Sequence, residues 1–300
     1  MDLPVRFHVL LLPNVPWPEL RARAQQCEVL GFDLIGLADH LVDWTNPANT
    51  WFEAWSVLGA LAEATSTIRL TTLVTQIPLR NPVMLAKQAI TLDHISGGRL
   101  EIGLGTGLTI DPSYAMAGLP NWPAAERVAR FAEYVELIDR VLREDETTFA
   151  GRYYTAEGAQ LRPRPVQHPR PPILIAALAP KMLEIAARQA DIWNSLSFRE
   201  TPAEQLAETR ERIAAIQAMC AVEGRDPATL RMSYTMFDGR ARHRGGAIGY
   251  FDSIQAFEDQ VGPLLEAGIS EIGLYYPLAP DQVPMFERIA SNALPRLRAL

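Results

Sequence analysis

A histidine that directly follows a predicted strand is the first residue that could do chemistry. His40 comes after Asp39, at the end of the apolar stretch Phe32–Ala38, which is typical of a buried strand. An imidazole has an ordinary pKa of about 6.5, so it can accept or donate a proton near neutral pH. A purely structural role at the strand end is the alternative. His40 is the candidate acid–base residue.

Glycines mark a second strand end. Residues Arg99–Leu104 alternate between polar and apolar, and Gly105, Thr106 and Gly107 follow directly. Backbone without side chains lets a flat ligand approach closely, so we predict a cofactor here. The alternative is that these glycines, together with Gly103, only relieve steric crowding inside the fold.

Two weaker signals follow other strands. Leu178-Ala179-Pro180-Lys181 places backbone amides at the start of a helix, where an anion could bind, although every strand–helix loop offers the same groups. Trp44 lies in a polar loop after His40 and is the candidate pocket wall.

Several classes of protein are disfavoured by composition. Clusters of His, Asp and Glu with metal-ligand spacing are missing, as are Ser or Cys nucleophiles in an elbow context, so we expect no metal and an organic cofactor that brings its own chemistry. The net charge of −7 argues against nucleic-acid binding.

Location follows from three further observations. Apolar stretches are too short for a membrane-spanning helix, and Met1–Pro13 lacks the basic and apolar regions of a signal peptide. Cys27 and Cys220 both fall in helical patterns, as expected for reduced thiols. We therefore expect a cytoplasmic protein that does not bind membranes.

The elements that must position these residues alternate along the chain. Predicted strands cover Val5–Pro13, Phe32–Ala38, Ile68–Ile77, Arg99–Leu104, Ile173–Leu178, Asp191–Leu196, Leu230–Phe237 and Ile272–Tyr276. Predicted helices include Trp51–Thr65, Pro82–Ile95, Ala124–Arg143, a helix capped by Thr201 with Glu204 in a capping box, and Asp281–Leu300.

Eight strands that alternate with eight helices predict an α/β fold, a TIM (β/α)8 barrel. We expect one domain over residues 1–300, with an insertion at about 106–172 after strand 4. A doubly wound open sheet is the alternative, but no G-x-G-x-x-G follows the first strand. In such barrels the chemistry lies at the carboxyl ends of the strands, where His40 and the glycines fall.

Four segments together resemble the bacterial-luciferase-like flavin and deazaflavin oxidoreductases. They are Gly31–His40, which ends in A-D-H, Arg69–Thr75, Arg80–Gly107, which contains I-S-G-G-R-L-E-I-G-L-G-T-G, and Pro171–Asn194. The similarity covers nearly the whole chain in the same order.

This resemblance implies a TIM barrel that binds coenzyme F420, or alternatively FMN, at its mouth. It assigns ring contact to Asp39, proton transfer to His40, and a non-prolyl cis peptide involving Val74. The implied cofactor-binding residues are Asp39, Val74, Thr75, Gly105, Thr106, Gly107, Asp111, Ala177, Leu178, Ala179, Lys181 and Met182. The predicted substrate pocket is formed by Trp44, Leu108, Trp193 and Tyr275.

The chain departs from the sugar-phosphate dehydrogenases of this family. They carry a Glu directly after the T-G pair and a ring-contacting Asn three residues later, where this sequence has Leu108 and Asp111. The missing Glu argues against that substrate and leaves His40 as the only nearby acid–base group.

The leading hypothesis is an F420-dependent oxidoreductase that transfers hydride between deazaflavin C5 and a small organic substrate. An FMN-dependent two-component monooxygenase, supplied with reduced flavin by a separate reductase, is the alternative. A third possibility is a barrel that binds flavin without chemistry. The family and the apolar second and third helices predict a homodimer.

Overall fold

The computed structural model describes residues 3–299, apart from the side chain of Arg242. The targeting-segment prediction for Met1–Pro13 includes Met1 and Asp2, and the predicted helix Asp281–Leu300 includes Leu300. These three residues lie outside the described part of the chain.

Strands occur throughout the described residues. They are β1 (Arg6–Leu11), β2 (Leu34–Leu37), β3 (Arg69–Thr72), β4 (Thr75–Gln76), β5 (Ile102–Gly105), β6 (Thr147–Ala150), β7 (Thr155–Ala159), β8 (Ile173–Ala176), β9 (Ile192–Ser195), β10 (Arg231–Thr235) and β11 (Glu271–Tyr275).

Helices separate most of these strands. They are α1 (Trp17–Val29), α2 (Ala54–Ala64), α3 (Pro82–Ile95), α4 (Ser113–Met116), α5 (Ala124–Arg143), α6 (Pro180–Gln189), α7 (Pro202–Val222), α8 (Ile254–Glu266), α9 (Val283–Asn292) and α10 (Leu294–Leu297). Within residues 3–299 no helix is both long enough and apolar enough to cross a membrane.

The chain divides into two compact units. Unit 1 comprises Met1–Leu11, Gln26–Ile35 and Ala177–Leu300, and unit 2 comprises Leu12–Gln25 and Gly36–Ala176. In unit 1, β1, β11, β10 and β9 pair in that order and are parallel. In unit 2, β8, β5 and β4 pair in that order and are parallel, while β6 and β7 form an antiparallel hairpin. Parallel strands separated by helices confirm the α/β class.

Three predicted elements differ from the structure. The strand expected over Ile68–Ile77 is divided into β3 and β4. The helix expected from Trp51 begins only at Ala54, because the Glu53 carboxylate accepts hydrogen bonds from the first-turn amides of α2. The last helix is interrupted at Ala293, between α9 and α10.

Other local predictions are confirmed. Thr201 and Glu204 form the expected capping box at the start of α7. Residues 106–172 contain α4, α5 and the β6–β7 hairpin, in place of a further parallel strand. The single domain over residues 1–300 stays a prediction.

Close backbone approach explains why β5 contains Gly103. A Cβ at this position would overlap the carbonyl oxygen of Thr72 in β3, and main-chain atoms cannot move aside as a flexible side chain can. The same strand leads to the glycine loop, so its position relative to β3 and β4 sets the site described below.

We predict that Gly103→Ala lowers the free energy of unfolding by about 2 kcal/mol or more, because it overpacks the junction of β3 and β5. Gly59→Ala is the matched control: Gly59 lies inside α2 with no atom within 4 Å of an added Cβ, so alanine there should be neutral or stabilising. Urea denaturation of both variants measures the difference. Equal stabilities would show that β3 and β5 are not held this closely.

Candidate active site

His40 follows β2 in unit 2, and its side chain is half-buried. The indole of Trp51 packs against it edge-to-face, with ring centroids 5.7 Å apart and an interplanar angle of 81°. Trp51 lies just before α2 and is also half-buried. This contact restricts the orientation of the imidazole.

A buried carboxylate fixes the protonation pattern of His40. Its Nδ1 lies 2.6 Å from Oδ2 of Asp111. A carboxylate oxygen only accepts hydrogen bonds, so Nδ1 must carry a hydrogen and donate it. In the neutral imidazole the other nitrogen, Nε2, is then unprotonated. His40 is therefore held as a base whose accepting nitrogen is Nε2.

Gln76 supports this pair from the end of β4. Its Nε2 donates to the backbone oxygen of Asp39 and to Oδ2 of Asp111, both at 2.9 Å. These two bonds use both amide hydrogens, so the 2.9 Å approach of Gln76 Nε2 to His40 Nδ1 is a packing contact between two donors. Tyr114 OH donates to Gln76 Oε1 and so sets the orientation of the amide.

Hydrogen bonding keeps Asp111 ionised. Burial opposes ionisation, but hydrogen bonds from His40, Ser113 and Gln76 outweigh it and hold the pKa of Asp111 well below its usual range. The sequence assigned Asp111 to the cofactor. The structure shows its carboxylate hydrogen-bonded to His40, so His40 is not the only acid–base group nearby, and the cofactor contact of Asp111 stays a prediction.

Asp39, predicted to contact the cofactor ring, has its carboxylate engaged by an arginine. Arg80 donates to both carboxylate oxygens, with Nη2 3.1 Å from Oδ1, and also pairs with Glu53. Burial raises the pKa of Asp39, and the Arg80 charge offsets part of that effect. Asp39 thus anchors the end of β2 to Arg80, which precedes α3.

Thr75 is held from two sides. Its Oγ1 accepts from the indole N–H of Trp55 in α2 at 2.9 Å and lies 2.9 Å from Thr72 Oγ1. The peptide bond between Leu73 and Val74 is cis, as the resemblance implied. Both Thr75 and Val74 remain proposed cofactor contacts.

Packing within the protein accounts for the glycines after β5. A Cβ on Gly105 would overlap the Val74 side chain. Gly107 has φ +79°, and its added Cβ would strike the Tyr114 hydroxyl and lie 2.6 Å from Gln76 Oε1. The crowding alternative is therefore supported at Gly103, Gly105 and Gly107, although a ligand can still approach their backbone.

The predicted phosphate loop lies in unit 1, between β8 and α6. Ala179 caps α6 without any side-chain hydrogen bond, and Lys181 is exposed beside Glu184. Ala177 and Met182 are buried, whereas Leu178 is half-buried. The loop therefore offers backbone amides and no buried cation.

The proposed substrate-pocket residues differ in exposure. Trp193 in β9 is fully buried, and its indole N–H donates to the carbonyl of Ala177 at 2.9 Å. Its assignment to the substrate pocket stays a prediction. Tyr275, at the end of β11, is half-buried and lies 6.5 Å from the Phe237 ring, centroid to centroid. In unit 2, Trp44 is half-buried and Leu108 is exposed.

The described residues were also searched for a site that could hold a metal ion. No group of three or more His, Cys, Asp and Glu residues in the described part of the chain could hold a metal ion.

The model of the luciferase-like monooxygenase family matches residues 3–237. The chain belongs to this family. An F420-dependent glucose-6-phosphate dehydrogenase from Intrasporangium calvum is 34% identical over 63% of this chain and 57% of that protein, so the match spans less than two thirds of that relative. An enzyme of the same name from Beutenbergia cavernae is 28% identical over 94% of each chain.

A solved structure shows the fold of this luciferase-like chain. An F420-dependent secondary alcohol dehydrogenase in complex with an F420–acetone adduct matches with a TM-score of 0.80 at 18% identity, over 97% of this chain and 100% of that one. The predicted TIM-barrel class is thereby confirmed.

Sequence reasoning missed several residues of this luciferase-like site. Gln76 lies near the end of the predicted strand Ile68–Ile77, and Trp51 lies at the start of the predicted helix Trp51–Thr65. Tyr114 and Arg80 carry no local motif. Their roles depend on partners 38 and 41 positions away in the chain. In unit 1, Phe198 and Phe237 pack together near Tyr275. Only the position of Gln76 at a strand end could have indicated a role.

We predict that Asp111→Asn lowers the free energy of unfolding by about 2 kcal/mol at pH 7. Because the folded-state pKa of Asp111 is depressed, its stabilisation is complete above the unfolded pKa of about 4 and is lost progressively as the pH falls from there through the folded-state pKa. The difference between wild type and Asp111→Asn should therefore shrink with acidification. Denaturant titrations at pH 7, 5 and 2.5 measure it.

Asp145→Asn is the control for this experiment, because Asp145 is an exposed carboxylate of the same unit. It should change stability little at any of the three pH values. A constant difference for Asp111→Asn across the series would contradict an ionised, hydrogen-bonded Asp111. Nitrogen NMR shifts of His40 give a second readout: the Nδ1–H form should dominate in the wild type and lose its dominance in Asp111→Ala.

Proposed function

We propose that this protein is an F420-dependent oxidoreductase that moves hydride between the deazaflavin and a small organic substrate. The observation that carries this proposal is the His40–Asp111 pair, which leaves Nε2 of His40 unprotonated at the carboxyl end of β2. Both curated relatives described above are named as F420-dependent enzymes, and a TIM barrel has its chemistry at this end of the strands.

The residues present fit a polar, planar cofactor. The indole N–H of Trp51 is buried beside His40 without a hydrogen-bond partner, so it is a donor that an acceptor atom of the cofactor could satisfy. Val74, Thr75 and the backbone of Gly105–Gly107 would contact the ring. In unit 1, the amides at Leu178 and Ala179, with Lys181, would take a phosphate.

When bound, the deazaflavin supplies hydride acceptance or donation. The chain itself would supply proton transfer and orientation. His40 Nε2 accepts the proton that leaves an alcohol, or donates one in the reverse direction. Asp111, kept ionised, stabilises the imidazolium that forms, as the carboxylate does in other carboxylate–histidine pairs. Arg80 holds Asp39 and so fixes the strand end that carries His40.

The sugar phosphate in the names of the relatives is not part of this proposal. Leu108 occupies the position where that group has a Glu, and its side chain is exposed. Binding of a sugar phosphate would also need positively charged side chains to pair with the phosphate, and the loops around His40 contain no Lys or Arg.

A second candidate is an FMN-dependent monooxygenase, because the matching family is described as luciferase-like monooxygenases. It would take reduced flavin from a separate reductase. We also propose a homodimer and a cytoplasmic location, which rest on the sequence.

Cofactor titration discriminates between the two candidates. We expect the absorption spectrum of F420 to shift on binding, with a dissociation constant at least tenfold lower than that of FMN, and no oxygen uptake with reduced F420. Tighter binding of reduced FMN, with oxygen consumed in proportion to the cofactor oxidised, would favour the monooxygenase instead.

His40→Ala should bind F420 as tightly as the wild type but lose at least about 100-fold in kcat, because general acid–base transfer contributes this much. His243→Ala, an exposed loop histidine of unit 1, is the matched control and should keep full turnover. Steady-state kinetics across a panel of alcohols and ketones, with parallel binding titrations, measures both. Unchanged kcat in His40→Ala would remove His40 from the mechanism.

A further inference from the structure

Exposed apolar side chains are concentrated on the two loops that carry His40 and Asp111. The exposed fractions are 48% for Leu41, 41% for Leu108, 69% for Ile110 and 56% for Met116. We call these four residues the apolar rim. A group of exposed apolar side chains on neighbouring segments commonly marks a binding site.

The apolar rim is continuous with the acid–base pair. Leu41 is next to His40, and Ile110 is next to Asp111. The amide of Leu41 donates to Ser113 Oγ at 3.1 Å, and the amide of Asp111 donates to the carbonyl of Leu108 at 3.1 Å. The first of these bonds joins the two loops, and together with the His40–Asp111 bond it holds the segments that carry the apolar rim next to the acid–base pair.

These loops contain no lysine or arginine. Residues 38–53 and 105–123 include neither Lys nor Arg. They do carry carboxylates: Asp39, Asp43, Glu53 and Asp111. A phosphate or carboxylate on the substrate would meet negative charge here without a counter-ion.

Arginines that reach the loops from elsewhere are already engaged. Arg80 pairs with Asp39 and Glu53. Arg127 is buried and donates to the carbonyl oxygens of Thr106 and Trp122, both at 2.8 Å. Arg130 lies over the Trp122 ring at 4.3 Å and pairs with Glu126. None of these three guanidiniums is available to an anionic substrate without losing its present partners.

We infer that the substrate of this site is uncharged, with an alkyl portion that the apolar rim binds while its hydroxyl or carbonyl meets His40. This inference rests on the proposed function for the reactive group, but it makes a separate claim about binding. It states that the apolar rim binds a neutral alkyl compound, and not a phosphate ester or a second copy of the chain.

Binding to the cofactor-free protein tests the inference. Tryptophan fluorescence, which senses Trp44 and Trp51 in unit 2, would follow titrations with 1-hexanol, 1-octanol, 1-decanol, octyl phosphate and glucose 6-phosphate. The dissociation constant of the alcohols should fall about three- to fourfold per methylene. Octyl phosphate should bind at least tenfold more weakly than 1-octanol, and glucose 6-phosphate should give no saturable change.

Matched methionine variants locate the binding surface. Met116→Gln should weaken 1-decanol binding at least fivefold, and Ile110→Gln should do the same. Met84→Gln should have no effect, because Met84 is 61% exposed on α3 of the same unit but lies outside the two loops. Circular dichroism melting of each variant separates lost binding from lost folding.

Several outcomes would overturn the inference: no binding of alcohols, no dependence on chain length, octyl phosphate binding as tightly as octanol, or equal loss in Met84→Gln. If a rim variant sediments as a monomer where the wild type sediments as a dimer, and its alcohol binding is unchanged, then the rim is a self-association surface and the inference is wrong. An F420 titration on the same samples keeps the two proposals apart. Intact F420 binding with failed alcohol binding rejects only the substrate class, and the reverse result rejects only the cofactor.

Discussion

The hydrogen bond between His40 and Asp111 is the interaction on which the rest of the site depends. It joins the loop after β2 to the loop after β5, and it does so with a buried carboxylate. A buried charge is tolerated only where donors surround it. Ser113, Gln76 and His40 supply those donors, so the charge that orients the imidazole is itself maintained by the fold.

The side chains around this pair form a short chain of hydrogen bonds that depends on Gln76, Tyr114 and Gly107. Gln76 can serve both Asp111 and the backbone of Asp39 only because Tyr114 fixes its amide. Tyr114 can reach Gln76 only because Gly107 has no side chain in the way. The T-G pair after β5 is therefore explained by a hydrogen bond within the protein, and its family-wide association with a cofactor loop is compatible with that role. One missing Cβ thus supports the orientation of a histidine on another loop.

The resemblance added Asp39 and Thr75 to the residues predicted from strand ends, His40 and the glycine loop, and the roles of all of them in a site stay predictions. The strand-end rule does explain why they lie at or next to the ends of β2, β4 and β5, because position along a strand in a parallel α/β fold determines which edge a residue reaches. It could not predict which side chains bond to each other. Asp39 is hydrogen-bonded to Arg80, 41 positions later in the chain, and Asp111 is hydrogen-bonded to His40, 71 positions earlier. Trp44 was the tryptophan predicted to line a pocket next to His40, but it is Trp51 whose ring packs against the imidazole. Trp193 is buried like the other residues of β9, which is buried along its whole length.

Acid–base chemistry and substrate charge are linked through the same carboxylates. An ionised Asp111 favours a proton arriving at His40 Nε2, and its negative field acts equally on any group that approaches the imidazole. Asp39 and Glu53 share one arginine between them, so that cluster does not cancel the field. A site that needed to hold an anion would have to place a free cation within reach, and the two loops provide apolar side chains instead. The residue that makes His40 a competent base therefore also disfavours anionic substrates.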